Sequence, residues 1–245
     1  MHKYLFVFLC LIIFQEDIKS QPFGANNATW HYSLYNYFFP PLNISPIKVT
    51  SSPAFIFNGF SCRNIYVNNN AGCMANTTYI VRESNDSVYY YLPSSNQFVM
   101  LYNYNAAIGD TQSIYGMDIS GLDTSIQMVV TSIGTTTING SLKKTYDITY
   151  ASPSHYFDFA GTVIEDIGNT FFLFPQWGFC DPIIHELRCY EDSLIGLYQV
   201  YSNLPCDSVV WLTSNEFALN DNILISPNPF NNEFSIAINN KSFKK

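Results

Sequence analysis

The feature that most limits the fold is a recurring punctuation. Short runs rich in Val, Ile, Thr, Tyr and Phe alternate with turn residues, and no stretch sustains a helical period. Asn58-Gly59 and Asn139-Gly140 are hairpin signals, because Asn and Gly accept the positive φ that a two-residue hairpin needs. Residues 54–57 lead into the first, and 61–67 follow it. Ser84-Asn85-Asp86 separates 77–83 from 87–92, and 97–104 follows Pro93-Ser94-Ser95-Asn96. Residues 126–133 and 135–138 run into Asn139-Gly140, and 142–150 return from it. Further β-like runs are 156–165, 184–190 and 194–201. Near the start, Trp30, Tyr32 and Leu34 alternate with His31 and Ser33, as in a half-buried strand. Short strands at regular spacing predict an antiparallel all-β fold, a meander that forms an open barrel or a two-sheet sandwich.

A chain of 245 residues can bury a core of its own. The net charge of −8, with few lysines and arginines, argues against nucleic acid as a partner, since phosphate binding needs clustered cations. The N-terminus has the layout of a secretory signal. Lys3 provides the positive start, residues 4–14 are apolar but too short for a transmembrane helix, and Ser20 is a small residue before a cut that leaves Gln21 first. Residues 1–20 are therefore expected to be a signal peptide handled by the Sec translocon. No transmembrane segment is expected.

Ile223-Leu224-Ile225-Ser226 meets the corner Pro227-Asn228-Pro229-Phe230, and alternation resumes at Phe234, Ile236 and Ile238. Neither proline can donate to a sheet ladder, so the corner is a turn between two strands. This stretch resembles the opening of the C-terminal sorting domain of the type IX (Por) secretion system of Bacteroidetes. The resemblance implies a secreted or cell-surface protein that passes through the periplasm to the type IX machinery. It makes Ser226, Pro227, Asn228, Pro229 and Phe230 the sorting motif. Residues 223–245 would then be the truncated start of a β-sandwich sorting domain, after an all-β body at 21–201 and a linker at 202–222. The body is also similar, over residues 45–201, to secreted Bacteroidetes proteins carrying the same tail. Tyr79-Ile80-Val81-Arg82-Glu83, Val88-Tyr89-Tyr90-Tyr91, Gly109-Asp110-Thr111 and Leu187-Arg188-Cys189-Tyr190 come in the same order. Those proteins bring no assigned activity.

Five cysteines follow the cleavage point, and export permits disulfides. The short-loop pairs Cys62–Cys73 and Cys180–Cys189 are expected, with Cys206 free or intermolecular. Cys180, His185, Cys189 and Cys206 are also zinc-ligand types, but Cys-x4-His-x3-Cys is not a standard finger. Glu165-Asp166 with Gly168 reads as a strand end and turn rather than an acid/base pair, because adjacent strand residues face opposite ways. Asp110 reads as a turn residue that bonds nearby backbone. Trp30, Tyr35, Tyr37, Trp177 and Trp211 could stack on sugar rings or simply fill a β-core. Asp86-Ser87-Val88, Asp192-Ser193-Leu194 and Asp207-Ser208-Val209 match the acidic–hydroxyl–apolar O-glycosylation pattern of the phylum that the tail suggests, and equally fit a turn before a strand. No nucleophile elbow or zinc-protease helix occurs, and no motif calls for a cofactor. The body is expected to be non-catalytic, serving binding or structure. The alternatives are a secreted hydrolase of polysaccharide or protein, or a small-ligand or glycan-binding β-barrel.

Overall fold

The computed structural model describes residues 22–25, 27–38, 42–68, 77–117, 122–152, 157–177 and 182–212, with the backbone of two further strands at 223–226 and 235–238. Met1–Ser20, the expected cut before Gln21, Cys73, Cys180 and the corner Pro227–Phe230 lie outside the described residues.

All regular elements among the described residues are strands, and all their pairings are antiparallel. The chain begins as a meander of β1 (Thr29–Asn36), β2 (Asn43–Ser51), β3 (Phe55–Phe57), β4 (Phe60–Val67), β5 (Thr78–Ser84), β6 (Ser87–Leu92) and β7 (Gln97–Asn103). Asn58 and Gly59 have φ of 49° and 81°, and Asn85 and Asp86 have 52° and 53°, so both tight turns have positive φ at both centres as the sequence requires. A second sheet holds β8 (Thr111–Met117), β9 (Asp123–Ile138), β10 (Ser141–Tyr150), β12 (Gly161–Ile164) and β13 (Gly168–Asn169), in the order β13-β12-β10-β9-β8. β11 (Phe157–Asp158) pairs with β14 (Gln176–Trp177). The run expected over 156–165 is broken between β11 and β12, where Gly161 has φ 145°. The chain then returns to the first sheet. β15 (Ile183–Asp192) lies beside β1, β16 (Gly196–Gln199) beside β15, and β17 (Val210–Trp211) on the start of β2. β18 (Ile223–Ser226) and β19 (Ser235–Ile238) form a separate hairpin.

The core is aromatic. Trp30, Tyr32, Tyr102, Phe157, Phe159, Phe172 and Phe174 are fully buried. Through it runs the stretch 165–176, irregular apart from β13 and the start of β14, in which Ile167, Asn169, Phe172, Leu173 and Phe174 have no exposed surface. Buried backbone outside a ladder still needs hydrogen bonds, and here the ring side chains supply them. Trp30 Nε1 donates to the Ile167 carbonyl (2.8 Å), Tyr32 Oη to that of Asn169 (2.8 Å), and Tyr102 Oη to that of Leu173 (2.5 Å). The Tyr102 hydroxyl also accepts the Asn169 N–H at 3.2 Å. Asn169 Nδ2 donates to Phe159 O, and its Oδ1 accepts from Phe171 N. Gln176 bonds both the N–H and the carbonyl of Ile184. Gly168 has φ 96°, and a Cβ there would lie 2.8 Å from Leu173 Cδ2 and 3.1 Å from the Tyr102 ring, so glycine is required on two counts.

Two expectations are corrected. β1 is covered on both faces rather than one: His31 and Ser33 are buried as well as Trp30 and Tyr32. Their cover is the stretch 201–212, the first half of the expected linker. Arg188, fully buried, donates to Ser33 Oγ (2.9 Å) and to the Ser208 carbonyl (2.5 Å), and Asp207 pairs with His31 at 2.9 Å. The disulfide is Cys189–Cys206, not Cys180–Cys189, and Cys206 is neither free nor intermolecular. After β16 the chain folds back through turns at 201–204 and 205–208, which bring the two Cα atoms to 5.6 Å. Cys62 is a buried free thiol whose Sγ faces the Phe57 carbonyl, so the Cys62–Cys73 pair does not form.

Tyr102→Phe strips partners from two buried backbone groups and should cost about 2–4 kcal/mol. Tyr91→Phe loses only an exposed bond to Asn96 and should stay within about 0.5 kcal/mol. Urea unfolding of the two variants beside wild type checks this contrast. Peptide mapping without reduction should recover Cys189 joined to Cys206, with Cys62 alkylated only after unfolding. Recovery of Cys189 joined to Cys180 would contradict the fold-back.

Candidate functional site

A cleft of about 540 Å³ opens between the β9–β10 hairpin with β12 on one side and β15–β16 on the other. The long hairpin makes it. Asn139, at the hairpin tip, donates through Nδ2 to the carbonyls of Ile195 and Leu197, both at 2.9 Å, and so ties the tip to the β15–β16 hairpin. One wall carries the hydroxyls of Thr136, Thr145 and Thr162, and the other carries Tyr198 and Tyr201, with Phe171 between them. Behind Thr162, in one row of the sheet, Asp147 accepts from Thr162 Oγ1 and Ser132 Oγ at 2.5 Å each. That carboxylate fixes the wall, each of its oxygens accepting one hydroxyl.

Glu186 is the acidic residue of the cleft. Tyr32 faces Leu187 and Ser33 faces His185 across the β1–β15 ladder, so Glu186 is the extra residue of a bulge. A bulge re-aims the side chain it carries. Its φ of 68° is a left-handed conformation that a long side chain adopts only under constraint. Tyr35 donates to Glu186 Oε2 at 2.6 Å. Burial first, then this bond and the Glu186 charge, push the Tyr35 phenol well above its ordinary range. The His185 ring lies parallel to Tyr35 (centroids 4.2 Å, 8°) and to Phe171 (5.3 Å, 10°). Burial lowers the His185 pKa, and the nearby Glu186 and Asp158 only partly offset it. The wall behind the cleft is thus an uncharged ring stack at neutral pH. No lysine, arginine or histidine is among the described residues that line the cleft.

A second cleft, of about 670 Å³, lies against β7 and β8 and includes Asp110. The Asp110 carboxylate accepts the Ala107 N–H at 2.8 Å, the backbone-bonded turn that its sequence context implies. Glu165 and Asp166 diverge as expected of neighbours. Glu165 accepts from Lys144 N, while Asp166 turns inward.

The aromatic set read from the sequence does not gather in one place. Trp30 is core, Tyr35 is buried behind the cleft, Tyr37 is half exposed with its ring 5.3 Å from that of Tyr35, and Trp211 is 58% exposed on β17. The Trp177 side chain lies outside the described residues. The zinc reading fails because Cys189 and Cys206 are consumed in the disulfide. Of the three hydroxyls in acidic–hydroxyl–apolar triplets, Ser87 is buried, whereas Ser193 is exposed in a turn that Asp192 caps by accepting the N–H groups of Leu194 and Ile195. Compared with protein families, with curated proteins and with solved structures, the chain matches none of them.

His185 is neutral in the fold and gains a proton more readily once unfolded. Its stabilising contribution is present above pH 6.5 and is lost as pH falls below that value toward the lower folded pKa. His185→Phe keeps a ring in the stack without the titration. Between pH 7.5 and 5, urea melts should show wild type losing stability relative to this variant, and a constant difference would remove His185 as the cause.

Proposed function

We propose that this is an exported, non-catalytic binding protein whose cleft takes a neutral saccharide. The observation that carries the reading is the make-up of the cleft. It offers aromatic faces at Phe171, Tyr198 and Tyr201, a row of threonine hydroxyls, and one hydrogen-bonded carboxylate. Sugar rings present apolar faces to aromatics and hydroxyls to acceptors. The volume lies in the usual range of small-molecule sites. A lining with Glu186 and no cation disfavours phosphates and other anions. Glycoside hydrolysis generally works with a pair of carboxylates across the bond. Here Glu186 stands without a second carboxylate among the described lining residues, and Asp147 is spent on the wall. A ligand-holding barrel interior is disfavoured by the fully buried Phe172–Phe174 segment, which packs against Tyr32, Tyr79 and Tyr90 of the first sheet.

Export rests on the Lys3 to Ser20 pattern and on the resemblance of the Ser226–Phe230 corner to the type IX sorting domain. The Cys189–Cys206 disulfide supports an oxidising compartment, and no helix among the described residues is long and apolar enough to cross a membrane.

Calorimetric titration with neutral and with sulfated oligosaccharides tests the cleft. Neutral sugars should bind, and Tyr201→Ala and Glu186→Gln should each weaken binding tenfold or more, about 1.4 kcal/mol. Both variants should melt as wild type does. Saccharide binding unaffected by either change would place the site elsewhere. In the native host, protein outside the cell should begin at Gln21, and replacing Pro227, Asn228 and Pro229 by alanine should hold it in the periplasm. Unchanged release of that variant would end the type IX reading.

A further inference from the structure

A buried charge pair lies apart from the cleft. Lys143 Nζ is 2.6 Å from Asp166 Oδ2, and the two side chains are 10% and 2% exposed. Lys143 is on β10, and Asp166 occupies the turn that follows β12 with φ 67°. The second oxygen, Asp166 Oδ1, is buried without a hydrogen-bond partner, and so is the Tyr104 hydroxyl. Burying a charged pair with an oxygen unsatisfied is costly. Transfer of one proton from Nζ to Oδ2 across the 2.6 Å contact gives an amine and an acid, both uncharged. Burial, with the charges of Glu165 and Asp192, raises the Asp166 pKa against the pull of Lys143.

The neutral pair is also the reactive form for amide formation. The nitrogen then carries a free electron pair, the carboxyl carbon is bonded to the oxygen it touches, and water is excluded. Holding two reactants in contact can replace molar concentrations of either. We propose that Lys143 and Asp166 condense into an intramolecular isopeptide bond. The Nζ electron pair attacks Cγ, one Nζ proton is lost, the Cγ–O bond breaks, and that oxygen leaves with its protons as water. The balance is ammonium plus carboxylate giving amide plus water, with no oxidant and no cofactor.

Glu83 is an acid whose charge reaches Asp166 and to which we assign the proton exchange. It lies on β5 within electrostatic reach of Asp166, and its Oε2 accepts the Phe23 N–H at 2.8 Å. Burial above all pushes its carboxyl up to about 7, so it exchanges a proton readily near neutrality. Asp192 is held otherwise. It accepts from Tyr190 Oη, Leu194 N and Ile195 N. The product exchanges a charge pair for a neutral amide and joins β10 covalently to the β12–β13 turn. Unlike Cys189–Cys206, that link survives reduction.

Intact mass spectrometry of the full chain, unfolded and reduced, is the test. Folded wild type should weigh one water less than its sequence. Its digest should contain a branched peptide joining the Lys143 and Asp166 segments, with no cleavage after Lys143. Asp166→Asn should lose ammonia instead of water and arrive at the same final mass, because both give the same amide. Asp166→Ala should keep its full mass. Glu83→Gln should melt cooperatively yet remain unlinked, and a fully linked Glu83→Gln would overturn the role given to Glu83. Full mass and an acetylatable Lys143 in folded wild type would overturn the bond itself.

Discussion

The structure depends on hydrogen-bonding buried backbone that its ladders leave unpaired. Residues 165–176 cross the core largely as irregular chain, with only Gly168–Asn169 laddered to β12 and Gln176 in the short β14, and each unpaired buried carbonyl or N–H costs on the order of 1–3 kcal/mol. Trp30, Tyr32 and Tyr102 meet that demand with ring N–H and O–H groups reaching from β1 and β7. The choice of tyrosine and tryptophan over phenylalanine at these sites follows, since only they fill core volume and donate at their far end. The segment is thereby fastened to β1 and β7 of the first sheet.

The first sheet has a related debt on its outer face. β1 and β15 pair one strand in from the edge of the sheet, and each would leave polar side chains buried or bare. Arg188 resolves this by bonding Ser33 on one side and the Ser208 and Ile44 carbonyls on the other. The disulfide and the short β17 pairing then fasten the same stretch. The cleft is a by-product of the opposite corner. There the β9–β10 hairpin outruns its sheet, and Asn139 pins it to β15–β16 without filling the space beneath.

Local features were legible in the sequence and distant ones were not. The Asn58-Gly59 and Asn139-Gly140 turns, the β5–β6 and β6–β7 hairpins and the all-β class follow from φ tolerance and from period-2 patterning, which act within a few residues. The return of β15 to β1 leaves no such trace, because pairing across more than a hundred residues is decided by what the rest of the core excludes. The same holds for Cys189. Loop length favoured Cys180, but the fold-back after β16 delivers Cys206. Glu186 sits in an ordinary run, Ile183-Ile184-His185-Glu186-Leu187, and only the ladder shows it to be the bulged residue. Phe171-Phe172-Leu173-Phe174, with Asn169 before it and Pro175 after it, is an apolar run without alternation. That absence of period is what a buried, non-strand segment looks like.

The placement of β15 against β1 also governs time. Trp30 faces Tyr190 and Thr29 faces Glu191, so a ladder one strand in from the edge of the larger sheet joins two ends of the body. Such distant pairings make folding slow, since most of the chain must be gathered before the contact rewards the lost entropy. While the chain emerges, the early meander lacks β15 and β16 beside β1, and the rings of Trp30, Tyr32 and Tyr102 lack the core segment they bond. Under the export proposed above, the chain would be threaded through a membrane before it folds, and that delay would keep it passable for as long as its last third is still missing.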